Sequence, residues 1–221
     1  MRSFENRPDT TVLDEPLYAH YLVATGLDHP MRDEIVAAGP VEQRDAIASC
    51  LAPQDEPVSY QKHMAHHLLL TMDRTWLDAI DHHVLLLRHP ARVLASYTRK
   101  REGLVTVADL GLPQQVELLQ RFGRPLVIDS DDFLLRPEAY LRAMCDRAGL
   151  AFDPRMLRWP AGPRESDGVW APHWYDAVWA STGFAAQVEP LPLPEVGRKA
   201  QAVFEEAMSF YEVLAAARLT L

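Results

Sequence analysis

Hydrophobic and polar positions along the chain form short apolar runs that alternate with longer amphipathic stretches. The runs that combine β-propensity with polar ends are predicted strands, and they lie at residues 10–16, 57–64, 81–89 and 124–132. The stretches with helical periodicity lie at residues 31–39, 41–52, 90–101 and 137–149. This alternation predicts an α/β protein with a central parallel sheet flanked by helices.

Polar side chains follow three of the predicted strands at the point where each strand ends. They are Glu15 after the first strand, Lys62 with His63 at the end of the second, and Arg88 at the end of the third. In parallel α/β sheets, ligands bind at the carboxyl ends of the strands, where helix N-termini also present free N–H groups. The sequence therefore predicts a functional edge at these strand ends.

The third strand end has the features of a phosphate site. Arg88 is the predicted last residue of the strand, and Pro90 suits the first turn of the helix that follows. Arg92, Ser96 and Arg99 recur at helical spacing and share one face. A guanidinium, a hydroxyl and a helix N-terminus all favour phosphate oxygens. The alternative is a solvated basic helix face that binds nothing.

Composition narrows the class of protein. The 221 residues, 48% of them hydrophobic, are enough for a single domain over 1–221, with a C-terminal helix at about 194–218. The net charge of −9 argues against a nucleic-acid or membrane-surface partner. No segment approaches the roughly 20 apolar residues of a membrane span, so we expect a cytoplasmic protein. Cys50 and Cys145 are predicted to be buried free thiols.

The spacing from Arg88 to Ser96-Tyr97 resembles the 3′-phosphate-binding motif of the sulfotransferase family. The segments around residues 3–22, 60–68, 126–150 and 167–184 are also similar to a bacterial sulfotransferase-like subgroup of P-loop proteins. The resemblance implies a three-layer fold of the P-loop NTPase type and 3′-phosphoadenosine 5′-phosphosulfate as donor. It also implies that Arg88 and Ser96, with Arg92 beside them, bind the donor's 3′-phosphate.

Sulfuryl transfer needs a base that takes the acceptor's proton and cations that stabilise the charge that develops. Glu15 is the first candidate for the base, and Asp14 is an alternative because strand alternation predicts opposite faces for the two. Lys62 is a candidate cation, and His63 is a second candidate base. We expect a small hydroxyl or amine acceptor.

A metal site is the third interpretation of this region. His63 and His67 stand four residues apart, but no third ligand occurs at a suitable spacing, so no metal is expected. Polar packing is the remaining alternative for these histidines.

The aromatic segment 167–184 also has two interpretations. Its tryptophans, Trp170, Trp174 and Trp179, are typical of a core. Alternatively they line an acceptor pocket, with residues 181–183 forming a polar lid over a phosphate.

The family's strand and 5′-phosphosulfate loop are not found in the sequence. No G-x-x-x-x-G-K-[ST] motif occurs, and the first ten residues resemble the end of the helix that should follow the loop. We expect this N-terminal strand to be missing, through truncation rather than degeneration, and an open sheet edge to favour homo-oligomers. The alternative is a degenerate, non-catalytic module that binds a nucleotide or a partner.

Overall fold

The structure is a computed structural model that describes the backbone of residues 1–100 and 105–221, and their side chains except those of 98–100. The strands are β1 Thr10–Asp14, β2 Val58–Lys62, β3 Val84–Leu87 and β4 Leu126–Asp129. The first helices are α1 Arg2–Glu5, α2 Tyr18–Thr25, α3 Arg32–Ala38, α4 Gln43–Leu51, α5 Pro90–Lys100 and α6 Val107–Leu110. The later helices are α7 Leu112–Phe122, α8 Ser130–Leu135, α9 Pro137–Arg147, α10 Ala171–Trp174, α11 Asp176–Ala180 and α12 Gln201–Ala216. Short 3₁₀ helices lie at Ala65–His67, Thr75–Ala79, Pro154–Leu157 and Arg198–Ala200.

Each strand lies within a predicted run, and the strands pair in parallel as expected. β1 pairs with β2 from Thr10 opposite Val58 to Asp14 opposite Lys62. β3 pairs with β4 in the same orientation. The α/β class with parallel strands and flanking helices is therefore confirmed. The described strands nevertheless form two separate two-stranded sheets instead of one central sheet. One continuous sheet needs a strand that hydrogen-bonds within both pairs, and no described strand does so.

The chain forms two compact units, and the prediction of a single domain over 1–221 stays a prediction. Unit 1 comprises Met1–Ile80 and Ala151–Phe184, and unit 2 comprises Asp81–Leu150 and Ala185–Leu221. Each unit contains one of the parallel strand pairs.

Unit 1 is built around the buried face of α2. Tyr18, Tyr21 and Leu22 follow helical spacing, and they pack against Ile35 of α3 and Trp170 in one hydrophobic cluster. The tryptophan-rich segment thus supplies core side chains, as one of its two interpretations expected.

His67 is buried within this aromatic core. Its side chain is 1% exposed, and its ring lies 4.6 Å from the ring centroids of both Tyr18 and Tyr21. Burial, together with positive charge on His66, Lys62 and other neighbours, lowers the pKa of His67 well below its ordinary value.

Unit 2 buries only one face of β3. Leu85 and Leu87 are buried, whereas Val84 and Leu86 are 41% and 60% exposed. A strand in a parallel sheet flanked by helices is ordinarily buried on both faces, so β3 departs from the predicted central sheet in this respect. At the end of β4, the Asp129 carboxylate accepts a hydrogen bond of 2.8 Å from the Asp131 N–H. Asp129 thereby caps the N-terminus of α8.

The C-terminal helix begins later than predicted. It was expected from about residue 194, but α12 starts at Gln201. Gly197 has an extended backbone, with φ −63° and ψ 148°, which interrupts a helix at that point. A short 3₁₀ turn, Arg198–Ala200, then leads into α12.

Two further predictions concern thiols and membranes. Cys50 and Cys145 are both buried and are not joined in a disulfide, as expected, and burial raises the pKa of Cys50 to about 11. Among the helices that the structure describes, none combines the length and the apolar character that a bilayer crossing requires.

We predict that His67 makes unit 1 sensitive to acid. The pKa of His67 is lower in the folded than in the unfolded protein, so a proton binds more readily to the unfolded protein. The stability of the fold is therefore fully present above the unfolded pKa of about 6.5 and falls as the pH drops below that value. Between about pH 7.5 and pH 5.5 the free energy of unfolding, measured by urea titration, should fall by about 1.4 kcal/mol more in the natural protein than in His67→Phe.

The matched control is His82→Phe, because His82 is exposed. This substitution should leave the pH dependence of unfolding unchanged. Equal pH dependence in the natural protein and in His67→Phe would contradict the prediction.

Candidate functional site

The carboxyl ends of β1 and β2 bring together four polar side chains, Asp14, Glu15, Lys62 and Tyr175, which we term the strand-end cluster. Lys62 Nζ donates to Tyr175 Oη at 3.0 Å, lies 3.5 Å from Asp14 Oδ1 and forms an ion pair with Glu15. The Tyr175 hydroxyl in turn donates to Asp14 Oδ2 at 2.7 Å. Because Asp14 stands opposite Lys62 in the β1–β2 register, the parallel pairing itself places the cation beside the carboxylates.

Glu15 has an unusual backbone conformation that directs its side chain. Its φ is 46°, in the left-handed region that residues with a Cβ rarely adopt. Its N–H donates to the Lys62 carbonyl at 2.8 Å, and its own carbonyl accepts from the Tyr18 N–H at 3.0 Å. The prediction that Asp14 and Glu15 face opposite ways was therefore wrong. β1 ends at Asp14, and the left-handed turn brings both carboxylates to Lys62.

Burial and charge act in opposite directions on the pKa values of this cluster. Burial raises the pKa of the Glu15 carboxyl, despite the attraction of Lys62. Burial alone would lower the pKa of Lys62, but Glu15 and Asp14 outweigh it and raise the pKa above its usual value. Burial also raises the pKa of Tyr175. Lys62 is thus a cation and Tyr175 a neutral donor near neutral pH, while Glu15 takes up a proton more readily than an exposed glutamate.

His63, the other predicted base, follows β2 directly. Its Nε2 lies 3.0 Å from Gln61 Oε1, and its ring centroid lies 5.9 Å from that of Trp76. Within residues 1–100 and 105–221, no group of three histidine, cysteine, aspartate or glutamate side chains is arranged to hold a metal ion. The structure therefore brings Glu15 and Lys62 into one cluster and leaves the role of His63 a prediction.

The predicted phosphate site lies in unit 2, where β3 leads into α5. Arg88 comes one residue after the strand and is exposed. His89 caps the helix, because its Nδ1 accepts from the Ala91 N–H at 3.3 Å and its carbonyl accepts from the Arg92 N–H at 2.9 Å. Pro90 is the first residue of α5, as predicted from its missing N–H.

Arg92 is engaged in contacts within unit 2. Its Nε donates to Asp131 Oδ2 at 2.7 Å, and its Nη2 and Nη1 donate to the carbonyls of Leu191 and Pro192 at 2.6 and 3.3 Å. Ser96 is half-buried on the same helix, whereas the side chain of Arg99 lies outside the described residues. Phosphate binding by Arg88, Arg92 and Ser96 therefore stays a prediction, and Arg92 must exchange existing partners to take part.

Sequence reasoning missed two side chains near the strand-end cluster. Tyr175 stands 161 residues from Asp14 in the chain, so no local spacing indicates their contact. Asp167 pairs with Arg2 at 2.8 Å and accepts from Trp179 Nε1 at 2.9 Å. The sequence interpretation of segment 167–184 rested on its tryptophans and on residues 181–183, and it assigned no role to Tyr175 or Asp167.

The proposed polar lid at 181–183 also makes contacts inside unit 1. The Ser181 hydroxyl accepts from Trp159 Nε1 at 3.0 Å and donates to the Val178 carbonyl at 2.6 Å. The backbone of Gly183 forms a bridge with Arg158. These contacts attach the segment to unit 1, and a role above a phosphate stays a prediction.

A family profile described as a sulfotransferase domain matches residues 1–218. The chain belongs to the sulfotransferase domain family. The resemblance seen in the spacing from Arg88 to Ser96 is thereby confirmed at the level of the family. The fold, with parallel strands and flanking helices, is sulfotransferase-like. It is similar to a solved structure, the sulfotransferase domain from the Synechococcus PCC 7002 olefin synthase. That domain is 18% identical and superposes with a TM-score of 0.50 over 93% of this chain and 75% of its own.

This sulfotransferase-family chain also matches two curated proteins of Arabidopsis thaliana. Branched-chain-amino-acid aminotransferase-like protein 2 is 33% identical over 97% of the chain, and aminotransferase-like protein 1 is 36% identical over 84% of it. The chain spans 38% and 34% of their lengths, respectively.

Tyr175→Phe should destabilise the protein by about 1–3 kcal/mol, because Asp14 and Lys62 each lose a hydrogen bond in a largely buried cluster. The free energy of unfolding, obtained from urea titration, measures the change. Tyr60→Phe is the matched control, because the Tyr60 ring stacks on Phe4 at 4.4 Å and the hydrogen bonds of the strand-end cluster are made by Tyr175 instead. Equal stability of the two variants would show that the Tyr175 hydroxyl contributes nothing.

Proposed function

We propose that the protein transfers a sulfuryl group from 3′-phosphoadenosine 5′-phosphosulfate to the hydroxyl or amine of a small acceptor. The observation that carries the proposal is the buried Glu15–Lys62 ion pair at the carboxyl end of β1, in a chain of the sulfotransferase family. A base and a cation in direct contact are the two groups that sulfuryl transfer requires.

Glu15 and Lys62 act together in the proposed step. The acceptor's O–H or N–H proton moves to the Glu15 carboxylate as a new bond forms between the acceptor atom and sulfur. The bond from sulfur to the 5′-phosphate oxygen breaks, and 3′-phosphoadenosine 5′-phosphate leaves with that electron pair. Protonation of Glu15 weakens its ion pair with Lys62, so Lys62 becomes available to the charge that develops on the transferred group.

Donor recognition is assigned to the start of α5. Arg88 and Ser96 are proposed to hold the 3′-phosphate, and Arg92 is proposed to join them. Support comes from the exposure of Arg88 and from the eleven-residue helix α5, whose first turn contains no acidic residue.

The donor assignment predicts that the protein binds 3′-phosphoadenosine 5′-phosphate more tightly than adenosine 5′-phosphate in calorimetry. Arg88→Ala should reduce the affinity for the first ligand about 10- to 100-fold, the equivalent of about 1.5–3 kcal/mol for a charged hydrogen bond, and leave the second unchanged. Arg142→Ala, which removes another exposed arginine of unit 2, should change neither affinity. Equal affinities of the natural protein for the two nucleotides would refute the 3′-phosphate assignment.

The base assignment predicts that Glu15→Gln lowers turnover at least about 100-fold and leaves donor binding almost unchanged. Turnover is measured as release of 3′-phosphoadenosine 5′-phosphate from the donor in the presence of a panel of small alcohols and amines. Glu56→Gln, a change at an exposed carboxylate of unit 1, should retain full turnover. An unchanged rate in Glu15→Gln together with a large loss in His63→Gln would assign the base to His63.

The charge balance of the strand-end cluster favours a second candidate function. Asp14 and Glu15 together outweigh the single positive charge of Lys62, which disfavours an anionic donor. A non-catalytic module of this family would bind a nucleotide or a partner and keep the ion pair for stability. Donor binding with no turnover by the natural protein would support that alternative.

A further inference from the structure

The two carboxylates that contact Lys62 differ in how the rest of the protein holds them. The side chain of Asp14 is 1% exposed, and its Oδ2 accepts from the Tyr175 hydroxyl at 2.7 Å and from the Gly168 N–H at 3.3 Å. The side chain of Glu15 is 8% exposed, and its partner among the described residues is Lys62. Asp14 is thus fixed by groups other than Lys62, whereas Glu15 is held through the ion pair itself.

The Tyr175 hydroxyl is fixed from the core side. Its ring is 7% exposed and belongs to the hydrophobic cluster that contains Tyr18 and Trp170. The hydroxyl accepts from Lys62 Nζ at 3.0 Å, and Nζ lies 5.4 Å from the centroid of the ring. A side chain whose rotamer is locked by packing holds its polar atom in one position. Tyr175 therefore offers Lys62 a partner whose position does not depend on Glu15.

The ion pair with Glu15 is the contact that the proposed reaction interrupts. A protonated Glu15 no longer offsets the charge of Lys62, and a largely buried lysine without a counter-ion loses its proton easily. Asp14 still supplies a negative charge, 3.5 Å from Nζ. Burial lowers the pKa of the Met1 amino group to about 5 and that of His67 well below its usual value, so neither adds a second cation near neutral pH.

We propose that Asp14 and Tyr175 are positioning residues that keep Lys62 charged and in place at the strand end while Glu15 is neutral. Lys62 is 27% exposed and can reach a ligand, whereas Asp14 and Tyr175 are buried and act through it. The inference rests on the proposed function for the step in which Glu15 takes up a proton. The holding of Lys62 can nevertheless be measured without any turnover.

Glu15→Gln tests the holding directly, because glutamine has the shape and the neutrality of a protonated glutamate. The chain contains three lysines, Lys62, Lys100 and Lys199, so carbon-13 NMR of lysine-labelled protein follows each of them, and Lys62→Met assigns the signal of Lys62. In Glu15→Gln the pKa of Lys62 should stay at or above the ordinary value of about 10.4. A pKa below that of the exposed Lys199 in the same spectra would overturn the proposal.

Removal of the Asp14 charge should then make Lys62 lose its proton more easily. Asp14→Asn added to Glu15→Gln should lower the pKa of Lys62 by at least about one pH unit relative to Glu15→Gln alone, because burial is then unopposed. Asp9→Asn in the same background is the matched control, since Asp9 precedes β1 and pairs with Arg7 at 2.8 Å. Equal pKa values with and without Asp14→Asn would refute the role of Asp14. If the double variant does not fold, the titration of Glu15→Gln still decides the question.

Tyr175→Phe keeps the ring and removes only the hydroxyl. In protein whose thermal melt shows it folded, this change should lower kcat about tenfold, leave the KM of the donor unchanged and move the Lys62 signal toward that of Lys199. Tyr60→Phe should alter none of these quantities. An unchanged Lys62 signal in Tyr175→Phe would refute the role of Tyr175.

The positioning proposal and the proposed transferase fail separately. If the natural protein shows no turnover but Lys62 titrates as expected in Glu15→Gln, the transferase is refuted and the holding of Lys62 is supported. If the natural protein turns over but the pKa of Lys62 falls in Glu15→Gln, the transferase is supported and the holding of Lys62 is refuted.

Discussion

The arrangement of unit 1 depends on how the chain satisfies one largely buried cation, Lys62. Its ammonium group has oxygen partners from Asp14, Glu15 and Tyr175, all of which are at most 8% exposed. An uncompensated buried charge costs about 3–5 kcal/mol, a large part of a total stability of about 5–15 kcal/mol. The left-handed backbone at Glu15 and the docking of Tyr175 against β1 both serve to supply these partners.

The same arrangement sets the chemistry that the strand-end cluster can perform. Glu15 is buried enough for its pKa to rise, yet it stays in contact with a cation that stabilises the carboxylate. A group in this balance can accept a proton and release Lys62 in the same step. The stability of the resting cluster and the proposed catalysis therefore draw on the same ion pair, so the two cannot be optimised independently.

Family membership and local geometry support different parts of the functional proposal. The family match covers nearly the whole chain and indicates the class of chemistry, whereas the curated relatives are much longer than the chain and carry aminotransferase-like names. The geometry identifies which side chains are in place. Glu15 and Lys62 already form a cluster, whereas Arg92 is committed to Asp131 and two backbone carbonyls. The acceptor side of the proposal thus has the stronger structural support.

The sequence by itself determined the elements that depend on local chemistry. Alternating apolar runs and helical periodicity were enough to predict four strands and their parallel class, and Pro90 was enough to predict the start of α5. These features follow from short-range sterics and from side chains a few residues apart. The spacing from Arg88 to Ser96 was likewise enough to indicate the family.

Only the tertiary structure decided which residues meet. The contact of Tyr175 with Asp14 joins positions 161 residues apart, and the Asp167–Arg2 pair joins positions 165 apart, distances at which no periodic pattern carries information. The orientation of Glu15 also escaped prediction, because strand alternation holds only while the strand continues. Its left-handed φ is stabilised by contacts with Lys62 and Tyr18. Long-range burial and charge pairing, which have no local signature, therefore determined the candidate site.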